Sequence, residues 1–327
     1  QYYFNNTFEM SYAPIMIPTL CRYEHLVKCV ESLAANSLAS ETELYIGLDY
    51  PTKESHWEGY RKIEQYLVSI EGFKKVHIVK REYNYGAERN SHELKKLIFE
   101  KYDRVIFTED DNIFSPNFLE YINQALDKYN DDTGILAVCG YLHLADYPEM
   151  RNCTCIRLPA YDAWGYAIWR DRYEDYETDF SYETVIHTLT SFKQTIKIAR
   201  KRIFTIFALL LIVNEKDVFG DTMYARKLLL ENKKCIFPTI SKVRNYGRDG
   251  SGTHASVEDQ NAYENQRIDV CTDFALVENK DIKIQRKAER ALKSYYRQPL
   301  KRIYWIVTRY LLFRIRYVLN KRRYEIK

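Results

Sequence analysis

Between residues 13 and 140 the chain alternates short apolar runs with segments whose apolar residues recur at helical spacing, and this alternation constrains the fold more than any other feature. The apolar runs Ala13–Pro18, Glu43–Asp49, Val76–Val79, Arg104–Thr108 and Gly134–Val138 read as strands. Tyr23–Ala35, Ser55–Glu71, Ser91–Lys101 and Pro116–Tyr129 read as amphipathic helices between them. Parallel strands need a crossover of a dozen or more residues, and helices of this length supply it. The pattern therefore predicts an α/β fold with a mostly parallel sheet flanked by helices, and a ligand held beyond the carboxyl ends of the strands.

After Gly140 the pattern loosens. A Trp- and Tyr-rich stretch (YDAWGYAIWRDRYEDYE) leads into a helical insert over residues 170–215, followed by a short helix over Thr222–Leu230 and a polar, glycine-rich segment, Asn245–His254. Tyr263 to Arg297 reads as a charged helical region, and Pro299 opens a final basic helix, a position where its missing N–H costs nothing. The expected organisation is an α/β domain over residues 1–265 and a helical C-terminal extension over 266–327.

The chemistry concentrates in YDRVIFTEDDNIFSPNF, where a buried strand ends in Glu109, Asp110 and Asp111. Carboxylates crowded at one strand end repel one another, and a divalent cation is the usual relief. Oxygen ligands without His or Cys favour a hard ion, Mn²⁺ or Mg²⁺, bridging the diphosphate of a nucleotide. A solvated acidic turn is the plainer alternative.

Strand, acidic triplet and helix resemble the DxD-type motif of GT-A glycosyltransferases, and the EDD form resembles the N-acetylglucosaminyltransferase I family. PIMIPTLCRYEHLVKCVESL is similar to that family's first strand and helix, with Arg22 at the arginine that approaches the nucleotide phosphates. Asp49 in YIGLDY matches the acidic residue that hydrogen-bonds the uracil. CIFPTISKVRNYGRDGSGTH resembles the late segment whose loop closes over the diphosphate, with Gly247, Arg248, Gly250, Ser251 and His254 at matching positions. The resemblance covers residues 13–260. It implies a Rossmann-like GT-A fold using a UDP-sugar, with Asp111 on the metal, Asp110 on the ribose and Glu109 on the donor sugar.

An inverting transfer needs one general base, and Asp221 in VFGDTMYARK is the candidate, seventeen residues before Pro238, nearly the spacing in the family resembled. Asp217 and Asp162 are the fallbacks, and an ordinary helix N-cap is the structural alternative for Asp221. Arg22 has an alternative as a surface residue at a helix start, and Asp49 as a cap of the next turn. Asn84, Gly86 and Arg89 occupy the region where related enzymes contact the base, although Glu88 stands where the family has a histidine. Trp164 and Trp169 fit either a sugar-stacking platform or the core.

Net charge is +4, yet residues 301–327 hold nine Lys or Arg against one Glu, so the rest of the chain carries −4. Arg302, Arg309, Arg316 and Arg323 recur every seventh residue along one helix stripe, which reads as a membrane-surface element over 300–324 or as a packed helix with solvated arginines. No motif for nucleic acid accompanies the charge. Seven cysteines without a CxxC pair argue against zinc and for a reducing compartment. No leader or spanning segment is read, the absent initiator Met suggests trimming, and the longest apolar run, Ile203–Val213, is too short to cross a bilayer. A cytoplasmic location follows, with peripheral attachment to the inner face of a membrane. The expected partners are a nucleotide-sugar donor and a glycan or lipid-linked glycan acceptor. A sugar-nucleotide-binding or membrane-assembly protein without turnover is the alternative, and a sugar-phosphate nucleotidyltransferase is disfavoured because PTLCRYEH lacks its glycine-rich loop and lysine.

Overall fold

The computed structural model describes residues 12–177, 179–215, 220–247, 250 and 260–319. In chain order the first half contains β1 (Ile15–Thr19), α1 (Tyr23–Ala34), β2 (Glu43–Leu48), α2 (Trp57–Leu67), β3 (Lys75–Lys80), α3 (Ala87–Phe99), β4 (Arg104–Phe107), β5 (Asn112–Phe114), α4 (Phe118–Lys128) and β6 (Ile135–Cys139). The second half contains β7 (Cys155–Leu158), β8 (Tyr166–Trp169), α5 (Arg170–Glu177), α6 (Tyr182–Thr190), α7 (Phe192–Glu215), α8 (Gly220–Glu231), β9 (Lys234–Pro238), β10 (Val243–Asn245), α9 (Gln260–Glu264), α10 (Ile282–Tyr295) and α11 (Leu300–Leu319).

Eight strands form one sheet in the order β3-β2-β1-β4-β8-β6-β9-β7, and β5 pairs with β10 in a separate two-stranded sheet. In the large sheet β8 and β7 run antiparallel to their neighbours, and the remaining pairs are parallel. The expected mostly parallel sheet flanked by helices is the observed architecture. Strand order reverses between β1 and β4, which opens a crevice at their carboxyl ends.

Alternation along β1 shows how the two faces are filled. Met16 packs with Leu94 and Ile98 of α3 on one face, while Ile15 and Ile17 pack with Leu26 and Val30 of α1 on the other, all fully or almost fully buried. The insert helices α5 to α8 and the C-terminal helices join the α3 face, and α2 and α4 join the α1 face. Side-chain caps fix two of these helices: Ser181 accepts from Thr184 N at 3.1 Å ahead of α6, and Asp281 accepts from Lys283 N at 2.6 Å ahead of α10. α7 breaks its helical dihedrals at Arg202, where φ is −155° and ψ is 88°.

Two sequence readings change. Tyr263–Arg297 is not one helical region. Only α9 and α10 are helical, and the chain between them runs as a strap along the sheet, bridging Ser241 to Ile268 and Cys155 to Glu278 and setting Phe274 edge-on to Tyr121 at 5.7 Å. Charged residues were compatible with an exposed helix, but the backbone found partners on the body instead. The Trp- and Tyr-rich stretch contains β8, an internal strand paired on both sides whose four residues are all buried, so it lacks the apolar–polar alternation of a half-exposed strand.

Candidate functional site at the β1–β4 crevice

Strand register brings the first pair of site residues together. β1 and β4 are in parallel register, with Ile15 opposite Ile106 and Met16 opposite Phe107. Carried three residues further, that offset sets Thr19 abreast of Asp110, and Thr19 Oγ1 donates to Asp110 Oδ2 at 2.7 Å. Arg22 stands just ahead of α1 without capping it, which leaves its guanidinium free to cross the crevice. Its Nη1 donates to Asp111 Oδ2 at 2.8 Å, and its Nη2 pairs with Asp110 Oδ1. Burial works against the charge on Arg22, but Asp110 and Asp111 outweigh it and hold the guanidinium above its ordinary pKa. Burial raises the Asp110 carboxyl, with Arg22 and Thr19 opposing.

The small sheet delivers a second group to the same point. β10 pairs antiparallel with β5, Asn245 opposite Asn112, and the ladder continues through Tyr246 N to Asp111 O at 2.9 Å. Asn245 Nδ2 donates to Asp111 Oδ1 at 2.9 Å, and Asn245 Oδ1 accepts from Gly247 N at 3.1 Å. A Cβ on residue 247 would lie 1.9 Å from Asp111 Oδ2, so only glycine lets the backbone come this close. Asp111 also borders a hollow of about 350 Å³ lined by Glu24, His25, Lys28, Ile113, Tyr246 and Glu264. A larger hollow of about 650 Å³ lies along the C-terminal strap near Lys128 and Glu278, and the residues above do not line it.

The third acid of the run takes a separate course. Burial pushes Glu109 well above the usual carboxyl range, and Asp111 and then Asp221 add to the effect. Asp221, in the first turn of α8, is pushed up to about 6 by burial first and Glu88 second, with Lys95 opposing. Asp221 as a residue is exposed at the start of α8. Lys95 itself is 8% exposed and held among three rings, with Nζ 4.7 Å from the centroid of Phe107, 5.3 Å from Tyr173 and 5.7 Å from Tyr166. Asp162, the fallback base, accepts from Trp164 N at 2.9 Å through Oδ1, and its Oδ2 lies 3.5 Å from His143 Nε2.

Asp49 directly follows β2 and is buried. Its Oδ1 accepts from Tyr50 N at 2.9 Å and Tyr85 N at 2.8 Å, while Oδ2 accepts from Gly86 N at 2.9 Å and Asn84 Nδ2 at 3.2 Å. A carboxylate offers about four acceptor directions, and all are taken, so Asp49 clamps the 84–86 loop and has none left for a base in this conformation. Gly86 enters α3 with φ at 76°, a conformation side chains resist. Beyond it the Arg89 guanidinium stacks 4.1 Å from the Tyr85 centroid, with Arg81 at 4.7 Å from the same ring.

Trp169 is 2% exposed with the Arg172 guanidinium 3.5 Å from its ring centre, which removes it as a sugar platform. Trp164 remains half-buried, edge-on to Tyr141 and Tyr263. Arg248, Ser251, His254 and Asp217 lie outside the described residues. Thr19, Asn245 and Lys95 were not legible as site residues. Asn245 opens the polar segment that the sequence singles out, and Lys95 falls on the buried stripe of α3 beside Leu94 and Ile98.

Divalent cations test differently against these residues depending on who supplies the ligands. Among the described residues no three His, Cys, Asp or Glu side chains converge as a metal cage. Asp111 is a single buried carboxylate bordering a hollow, and Mg²⁺-type ions are commonly held by one or two carboxylates plus substrate phosphates. The donor set fits a cation that arrives with a diphosphate.

No family model matches the chain, and no curated protein matches it. Among solved structures it is similar to residues 1–349 of S. aureus TarS in complex with UDP-GlcNAc, at 11% identity over 77% of this chain and 64% of that one, with a TM-score of 0.42. It is also similar to the mannosyltransferase PcManGT from Pyrobaculum calidifontis in complex with GDP-Man and Mn²⁺, at 12% identity over 67% of this chain and 68% of that one, with a TM-score of 0.38. Against a further TarS structure the match covers 30% of that chain, with a TM-score of 0.35. Likeness at this level carries nothing about activity, and the site stands on its own geometry.

Proposed function

We propose that the chain is a GT-A glycosyltransferase that transfers a hexosyl or N-acetylhexosaminyl group, with inversion, from a UDP-sugar to a hydroxyl of a glycan or lipid-linked glycan. The observation that carries this reading is the convergence of Asp110, Asp111, Arg22 and the close-approaching backbone of Gly247 at the crevice where strand order reverses. Alternating acid and guanidinium suits a diphosphate that comes with its own cation.

Asp111 is the residue that would hold Mn²⁺ or Mg²⁺, which when bound supplies positive charge to the departing diphosphate. Arg22 presents a planar guanidinium to phosphate oxygens at the same edge, and Asp110, fixed by Thr19, faces the ribose. The loop clamped by Asp49 positions Tyr85 and Arg89 as a face for the base. Glu109 feels the charge of Asp221, and in this reading Glu109 meets the donor sugar while Asp221 takes the proton from the acceptor hydroxyl. Arg248, Ser251 and His254 complete the reading as a loop over the diphosphate.

The test is a thermal-shift panel of nucleotide sugars with and without Mn²⁺, followed by donor turnover in wild type and Asp111→Asn. A shift with a UDP-sugar that needs Mn²⁺, and a turnover loss of about 100-fold or more in the folded variant, support the reading. Unchanged turnover in Asp111→Asn overturns the metal assignment. Tight UDP-sugar binding without turnover against any acceptor extract favours a binding protein instead.

A further inference from the structure

α11 is amphipathic in an unusual sense, because it has one apolar face packed and a second left open. Ile306 and Phe313 are buried, and α11 packs on α7 and α6. On the opposite side, Leu300, Tyr304, Leu311, Ile315, Val318 and Leu319 fall within an arc of about 100° at 3.6 residues per turn. All six are exposed, Tyr304 at 74% and Val318 at 73%. Between the two faces runs a single row of Arg302, Arg309 and Arg316. Arg302 leans over Phe204 of α7 at 5.0 Å, and Arg309 over Trp305 at 5.1 Å. The helix carries five Lys or Arg and no acid, and among the described residues no acidic side chain pairs with that row.

We infer that α11 seats the protein on an anionic membrane surface, lying in the plane of the interface with the Leu300–Leu319 arc among the acyl chains and the arginine row on lipid phosphates. A water-exposed apolar arc of this width calls for an apolar partner, and the arginine row beside it calls for an anionic one. An anionic lipid leaflet offers both side by side. A second copy of the helix offers no anion to the arginines, since α11 has no acidic residue. No described helix is long and apolar enough to cross a membrane, so the contact is a seating and not a span. Packing on α7 and α6, reinforced by Arg314 bonds to the Thr190 and Leu189 carbonyls, holds the arc outward and spares the helix the cost of folding on the surface.

The experiment uses the full chain and vesicles of equal parts phosphatidylglycerol and phosphatidylcholine, against pure phosphatidylcholine. Co-sedimentation with the anionic vesicles, weakened by salt, is expected. The triple variant Arg302→Gln, Arg309→Gln, Arg316→Gln binds on the order of 100-fold more weakly. The pair Leu311→Asp, Ile315→Asp abolishes binding while its melting temperature falls little, because both side chains are more than half exposed. Brominated lipid quenches Trp305 fluorescence in the wild type only. Wild-type protein that remains in the supernatant at low salt overturns the inference. So does a concentration-dependent dimer, lost in the aspartate pair, that forms without vesicle binding.

Discussion

Arg22 Nη1 lies 2.8 Å from Asp111 Oδ2, and the other terminal nitrogen of the same guanidinium is bonded to Asp110, so one arginine bridges two adjacent buried carboxylates and offsets one of their two charges. The crowding that in sequence called for a metal is relieved in part by a residue of the chain. This arrangement lets the acids stay folded in place before any nucleotide arrives.

Removing Arg22 therefore leaves two buried acids uncompensated. Arg22→Ala is expected to lose about 3 kcal/mol of stability in urea denaturation at neutral pH. Mn²⁺ should raise the melting temperature of this variant more than that of wild type, because the cation supplies the missing charge. Equal metal responses in both proteins would speak against the pairing as the site's charge balance.

Gly247→Ala places a methyl group against Asp111 Oδ2, an atom that Arg22 also holds. Overpacking of this kind costs about 1–3 kcal/mol. Because the displaced group is the carboxylate itself, UDP-sugar affinity measured by calorimetry is expected to fall by tenfold or more. An unaltered affinity would show that the carboxylate and backbone separate at no cost to the site.

Asp221 must be ionised to accept a proton, and its folded pKa is raised to about 6. Turnover is thus expected to rise with pH through about 6 and level above it, while Asp221→Asn loses about 100- to 10,000-fold. The stability effect has the opposite sense. A raised carboxyl contributes most to stability when protonated, at pH below its unfolded value, and that contribution is lost as pH rises through about 6. Asp221→Asn should melt at or above the wild-type temperature at pH 7, and a lower melting temperature there would contradict the shift.

Lys95→Met tests the charge beside that acid. Lys95 opposes the upward shift of Asp221, so the acid limb of the pH–rate profile is expected to move to higher pH in the variant. Stability should change by less than about 1.5 kcal/mol, since methionine nearly conserves the buried volume among Phe107, Tyr166 and Tyr173.

Asp49→Asn replaces two acceptor lone pairs by donors facing Asn84, Gly86 or Tyr85. A loss of about 1–3 kcal/mol is expected. Steady-state kinetics should show the donor KM rising with little change in kcat, as the 84–86 loop loosens. A fall in kcat alone would place Asp49 elsewhere in the reaction.

The sequence by itself determined the alternation of strand and helix through residue 140, because a buried sheet and its amphipathic crossovers leave periods that a linear reading detects. Glu109, Asp110 and Asp111 were legible as a strand-end acidic run for the same reason. What the sequence could not show is who meets whom across distance. Thr19 faces Asp110 because of the β1–β4 register, Asn245 and Gly247 reach Asp111 because β10 pairs with β5, and Asp49 is saturated because the loop after β3 folds back onto it. The open arc of α11 was likewise undecided, since its apolar residues suit burial equally well until α7 is seen to occupy the other side. Local periodicity is carried by neighbouring residues, whereas register, pairing and the choice of buried face depend on groups far apart in the chain, and only the folded structure sets those.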